Sequence, residues 1–576
     1  MIPMPPTSPL WPSTPLRSAR WIPALLPLLI VACGAQPAGE SAEIPPPAPA
    51  EALAVQPPIR ATHWFGAHWA KNLINAYRRE DVAGEFRTIR GDGFDTVVLL
   101  VSWGDFQPVY LPCCREDERA FQRLDFLLDE AERQGLRVML RIGFAWSFHP
   151  DSPPTLERVH VLMNDARARA AFQRFVGRVG KAIEGRPQVL MSFMSWEDQW
   201  LRHIEPIAAE DYARFIASLP PAERPPDPTR LPRADDDSAL WFHRYWDWLK
   251  LEELHRPAQA QIPLLGYEVR SDKEPRWQVD AAGRREVAGW IDHRSTYRQP
   301  GAVPLVMYWA PFWGARNEGE SLRAEESLAL LGGMLAEASA WSGGRPVFIN
   351  QFNLIDNTPG HEHNATLPDD QIAPFLRSAV CVLKNHGVLG AGLWTGRDYE
   401  ESPLYNPSFA YGLEGWHLVD GEGRAIPEGE ALLTAPERDP HLRLRRGEVL
   451  TQAFGRERGR LPHRDDRPDH ACVDALSPGG ARLRLQAGGG EPVELALPAG
   501  HAGRACTAID SHPVEDRLAF RVEALEGEAE LRGLWLFDHV QDGGLRTVDN
   551  RPGRHHHAVI AFNEAMMRSE LPKDCR

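Results

Sequence analysis

A basic excess is missing from this chain. Its 576 residues carry 64 Lys and Arg against 79 Asp and Glu, a formal charge of −15. Without a cationic surplus to displace phosphate counterions, nucleic acid is excluded as the main partner. Cysteine is sparse, seven in all, and no pair has CxxC spacing, so no metal site is read from it. No GxGxxG opens the first helix, so the dinucleotide-binding signature is absent and no organic cofactor is implied. Beyond residue 32 no apolar run reaches the roughly 18 residues that a bilayer span needs. What the chain does have is tryptophan, nineteen of them in a 43% hydrophobic composition. Flat rings in that number suit a globular protein that handles sugars.

The N-terminus has its own logic. Arg17 and Arg20 precede an apolar run from Trp21 to Ala32 that Pro23 and Pro27 interrupt. The run is too short to cross about 30 Å of hydrocarbon, so it reads as a signal-peptide core. Its end, Leu29-Ile30-Val31-Ala32-Cys33-Gly34, resembles a bacterial lipobox. The resemblance implies that residues 1–32 are removed and that Cys33 carries a lipid, giving contact with a membrane. Gly34, rather than Asp, after the Cys favours the outer membrane in a Gram-negative host. Residues 33–60 are Pro-rich and read as a semi-rigid tether. Of the remaining cysteines, Cys472 and Cys506 fall in one C-terminal segment and are the expected disulfide; Cys113 and Cys114 cannot be assigned from spacing.

From residue 61 to about 435, short apolar runs alternate with amphipathic helical stretches. The strand candidates are Trp64–Trp69, Asp95–Trp103, Arg137–Phe144, Gln188–Met194, Ile262–Val269, Val303–Trp309, Pro346–Phe352 and Leu389–Trp394. Eight such repeats predict a (β/α)8 barrel, with a doubly wound open sheet as the alternative. From 440 to 550 short alternating strands between Gly-rich turns predict a β-sandwich, possibly carbohydrate-binding. A helix and tail occupy 551–576.

In such a barrel the chemistry gathers where the strands end. Those ends supply Trp103, Arg141, Trp146, Trp196, Glu197, Glu268, Tyr308, Trp309, Trp313, Gln351, Asp356, Trp394 and Asp398. Carboxylates beside Trp rings suit an oligosaccharide cleft, because a carboxyl exchanges protons with a glycosidic oxygen while an indole stacks on a sugar face. His361-Glu362-His363 has HxH spacing, but the turn residues before it read as a polar loop rather than a metal site. Trp535 and Phe537 share one face of a C-terminal strand and fit either a sandwich core or a sugar-binding face.

The segment Val189–Glu197 resembles the fourth-strand ending of the cellulase-type, or clan A, glycoside hydrolases. That resemblance implies that Glu197 is the acid/base. The family usually has Asn before this Glu, where this chain has Trp196. Tyr308 resembles the sixth-strand aromatic that supports the nucleophile, and Trp394 the eighth-strand platform. At the seventh strand, Pro346–Phe352, the family would carry Glu where this chain has Gln351. Three readings stay open. A second carboxylate comes from elsewhere: Glu268, as in the resembling amylase-type barrels, or Asp356, or Asp398. Alternatively the enzyme is inverting, its base set farther away to admit water. In the third reading the barrel only binds glycan.

Overall fold

The computed structural model describes residues 58–568 and Cys575, except 70–72, 112–113, 147–148, 198–203, 269–273, 281–283, 292, 294–302, 310–318, 356–364, 456–468, 513 and 515–516. Runs such as Thr96–Ser102, buried at every position, form strands because both of their faces are covered, as a parallel sheet under helices requires. Eight of them close into a parallel barrel. These are β1 (Ile59–His63), β2 (Thr96–Ser102), β3 (Arg137–Gly143), β4 (Val189–Met194) and β5 (Leu265–Glu268). An antiparallel hairpin follows, β6 (Glu274–Val279) and β7 (Arg285–Ile291), and then β8 (Pro304–Trp309), β9 (Phe348–Asn353) and β10 (Gly390–Trp394) complete the ring. The fold is therefore a (β/α)8 barrel. Its first strand lies ahead of Trp64–Trp69, because Ile59 and Ala61 fill the lumen and pair with Gly390 and Gly392.

The lumen is plugged by Ala61, Val98, Met139, Met191, Phe193, Leu305 and Phe348, which excludes water from the base of the barrel. Around it lie amphipathic helices such as Glu118–Arg133, Ala166–Ile183, Ala324–Trp341 and Asp369–Asn385.

The antiparallel domain is organised by one strand of 21 residues, Arg517–Phe537. Its first half pairs with Val449–Gly455 and Ala481–Gly488, its second half with Arg438–Arg445 and Asp469–Ser477. Strict alternation in Ala481–Gly488 puts Leu483 and Leu485 into a core with Leu442, Phe520, Val522 and Leu531. Cys472 and Cys506 are directly opposed across a ladder and form a disulfide; Cys381 pairs with Cys575.

The sandwich docks on the barrel through packed and charged contacts. Trp535 stacks on His68 with ring centroids 4.6 Å apart, and both are buried, so Trp535 is a docking residue and presents no sugar-binding face. Arg123 bonds Asp439 at 2.7 Å with both side chains almost wholly buried. The C-terminal helix His556–Met567 returns to the barrel, where Phe562 stacks on Phe352.

Candidate active site

Above the apolar plug the lumen turns polar. Arg141 on β3 pairs with Glu268 on β5, and both side chains are almost completely buried. Asn350 on β9 donates to the same Glu268 oxygen, Oε2. His63 on β1 lies with Nε2 2.6 Å from the Asn350 carbonyl. Burial, helped by the Arg141 charge, pushes His63 down to about 3, so it is neutral and Nε2–H donates.

The polar layer holds the next one in place. After β4 the chain turns through two non-glycine residues with positive φ, Ser195 at 90° and Glu197 at 51°. Such conformations cost about 1–3 kcal/mol each and persist where surroundings over-determine them. Here Arg141 Nε donates to the Ser195 carbonyl at 3.1 Å, and the Glu197 N–H donates to Glu268 Oε1 at 2.9 Å. Arg141 and Glu268 together clamp the kinked exit from the fourth strand.

The clamped turn aims Glu197, which is partly exposed, at Gln351. Gln351 Nε2 donates to Glu197 Oε1 at 2.9 Å. Trp309 Nε1 donates to Gln351 Oε1 at 2.9 Å. An indole N–H only donates, so it fixes which end of the amide faces the carboxylate. Both Asn350 and Gln351 face the lumen although strand residues alternate. The reason is a β-bulge: β8 pairs Val306 with Ile349 and Met307 with Gln351, leaving Asn350 as the extra residue. Its backbone crowds β10, where a Cβ on Gly392 would meet the Asn350 oxygen at 3.0 Å.

Several expected positions lie elsewhere. Glu268 is fully engaged in the clamp and only 2% exposed, so it is a positioning residue and does not serve as the second catalytic carboxylate. Arg141 likewise holds Glu268 and the Ser195 carbonyl rather than meeting substrate. Trp103 is fully buried beneath the guanidinium of Arg158 and bonds Gln107; it opens a short helix that turns its ring away from the cleft. Tyr308 is also fully buried, donating to the Ser327 carbonyl at 2.6 Å and stacking on Phe352 and Phe375. Alternation makes the next residue, Trp309, the lumen-facing aromatic.

Trp146 and Trp394 are partly exposed, Trp196 only 5%. Trp196 packs against Trp146 and Trp69 with centroids 6.1 and 6.0 Å away, and its carbonyl accepts from Trp146 Nε1 at 2.7 Å. Trp394 leans on His63 and Phe65. Trp313, Asp356 and the His361-Glu362-His363 cluster lie outside the described residues.

Asp398 faces the C-terminal segment, accepting from the Gly543 N–H at 2.9 Å, so it does not line the cleft. Burial, with Asp542 nearby, pushes its carboxyl up to about 7. In the folded state it keeps a proton that the unfolded chain releases near pH 4, so its contribution to stability is full below about pH 4 and is lost as pH rises toward 7. The unfolding midpoint of Asp398→Asn should therefore decline less than wild type between about pH 5 and pH 8. Parallel melting curves would contradict this.

No protein-family model matches the chain, and no curated protein matches it. Solved structures do resemble it. A family 5, subfamily 18 glycoside hydrolase from Streptomyces cattleya in complex with GlcNAc aligns at 19% identity over 59% of this chain and 72% of its own, with a TM-score of 0.38. An exo-β-1,4-mannosidase from Opitutaceae bacterium strain TAV5 aligns at 15% identity over 60% of this chain and 52% of its own, with a TM-score of 0.39. A family 5 mannosidase from Rhizomucor miehei in complex with mannosyl-fructose aligns at 12% identity over 61% and 84%, with a TM-score of 0.35. At these identities the likeness is one of fold.

Proposed function

We propose that the protein is an exported, lipid-anchored glycoside hydrolase that cleaves a poly- or oligosaccharide, with Glu197 protonating the departing glycosidic oxygen. The observation that carries this reading is Glu197 itself, a solvent-reachable carboxyl on a clamped, positive-φ turn at the fourth-strand exit. The partly exposed rings of Trp69, Trp146, Trp309 and Trp394 stand at or just past the ends of four barrel strands and offer faces on which sugars stack.

The Gln351 amide cannot attack an anomeric carbon, and Glu268 is committed to the clamp. The chemistry supported best is direct displacement by water, with the base on the loop after β9, where the sequence offers Asp356. Inversion of the anomeric centre follows from that assignment. The test is a hydrolysis screen over a glycan panel, with the anomer of the fresh product read by NMR. A retained anomer would overturn the water route. Gln351 also favours a second reading, binding without turnover. Gln351→Glu separates the two. In an active enzyme it sets a second carboxylate against Glu197 and should lower turnover, because adjacent carboxyls share a proton. In a binding-only barrel it should create turnover where wild type has none.

The anchor rests on Arg17, Arg20, the apolar run and Cys33. Cys33→Ser should move the protein to the soluble fraction with loss of the lipid mass; unchanged membrane fractionation would refute lipidation.

A further inference from the structure

The peptide unit joining Trp196 to Glu197 is gripped at both ends. Its N–H, that of Glu197, donates to Glu268 Oε1 at 2.9 Å. Its carbonyl, that of Trp196, accepts from Trp146 Nε1 at 2.7 Å. A trans peptide is planar, with these two groups pointing opposite ways, so the pair of bonds fixes the orientation of the whole plane. The first bond comes from the clamp, the second from the loop after β3.

The plane has a reason to turn. Glu197 sits at a φ of 51° and Ser195 at 90°, conformations that cost a residue with a Cβ about 1–3 kcal/mol. Rotating the 196–197 plane would let φ of Glu197 return to negative values and would carry its carboxyl away from Gln351. In the rotated plane the Trp196 carbonyl would face the Glu268 carboxylate, and the Glu197 N–H would face an indole nitrogen that only donates. Both grips therefore oppose the relaxation. Trp146 is itself fastened. Its carbonyl accepts from Ser102 Oγ at 2.6 Å, and its ring packs on that of Trp196 with centroids 6.1 Å apart.

We propose that Trp146 is a positioning residue whose indole N–H locks the Trp196–Glu197 peptide and so holds the Glu197 carboxyl in the cleft. The assignment rests on the reading of Glu197 as the proton donor. It gives the indole two duties, since its partly exposed ring offers a sugar one face while its edge secures the acid.

Two replacements remove the N–H and keep a flat ring: Trp146→Phe, and benzothienylalanine at position 146, in which sulfur takes the place of the N–H. On a glycan that the wild type cleaves, both should lower kcat about tenfold or more and leave KM within about twofold, because a misplaced acid slows the chemistry while the stacking face persists. Hydrogen exchange of the full chain without glycan reads the grip itself. The Glu197 amide should exchange severalfold faster in both variants, and Val189–Met194 at the wild-type rate. A raised KM at unchanged kcat would overturn the proposal by making Trp146 a platform alone. So would an unchanged Glu197 amide, or equal acceleration along Val189–Met194, which would mark general loosening. A wild type that cleaves no glycan would refute the hydrolase reading, and the exchange result would still decide the grip.

Discussion

Glu197→Gln is expected to lower turnover on a cleaved glycan by about two or more powers of ten while leaving glycan affinity nearly unchanged. The substitution keeps the size of the side chain and removes its transferable proton. Its amide oxygen can still accept from Gln351 Nε2, which lies 2.9 Å from Glu197 Oε1, so the side chain has a way to remain in place. The backbone bond from residue 197 to Glu268 is untouched, and so are the indoles that would carry the sugar. The leaving oxygen would then depart as an alkoxide without a proton donor, which slows the chemical step and not the binding. Single-turnover kinetics alongside calorimetry would separate the two quantities. Full turnover in the variant would remove the fourth strand from the mechanism; equal losses of affinity and rate would show that the substitution had disturbed the cleft.

Arg141→Met should destabilise the fold by about 3–5 kcal/mol, because it leaves Glu268 charged and buried without its counter-ion. Both partners are almost free of solvent, so water cannot replace the lost pairing. Glu268→Leu alone should do comparable damage by stranding Arg141. The double variant should recover much of the stability, since a dry apolar pair carries no desolvation cost. It should not recover activity, because the Glu197 N–H and the Ser195 carbonyl both lose their partners. Chemical unfolding of the four proteins forms a double-mutant cycle. A double variant no more stable than either single one would show that the pair contributes more than mutual compensation. Recovered activity would show that Glu197 does not need the clamp.

The barrel was legible because its strands are apolar on both faces, and that pattern survives any uncertainty about their ends. The first strand was not. Ile59–His63 is short and mixes Arg60, Thr62 and His63 with two apolar residues, because its outer end serves the polar layer of the lumen. Glu197 was visible from its place after an apolar run. Its clamp was not, since Arg141, Glu268 and Asn350 meet across up to 209 residues of sequence with nothing local to mark them. Tyr308 was read one position out. Adjacent aromatics at a strand end can be told apart only by knowing which faces the lumen, and the Met307–Trp309 parity decides that only once the register is known. Trp103 and Asp398 failed as cleft residues for a common reason: each found a partner outside the mouth, in the helical layer for one and in the C-terminal segment for the other.

The extra residue in β9 has a consequence for how this barrel can change over time. A regular strand would make neighbouring positions serve opposite faces, so the residue holding the scaffold and the residue meeting the ligand would have to lie two apart. With the bulge, Asn350 holds Glu268 while Gln351, next in the chain, faces Glu197. The two duties are adjacent but separable. A single-codon exchange of amide for acid at 351 leaves the contacts of Asn350 to Glu268 and His63 intact, so chemistry at this mouth can be gained or lost without the barrel having to be rebuilt beneath it.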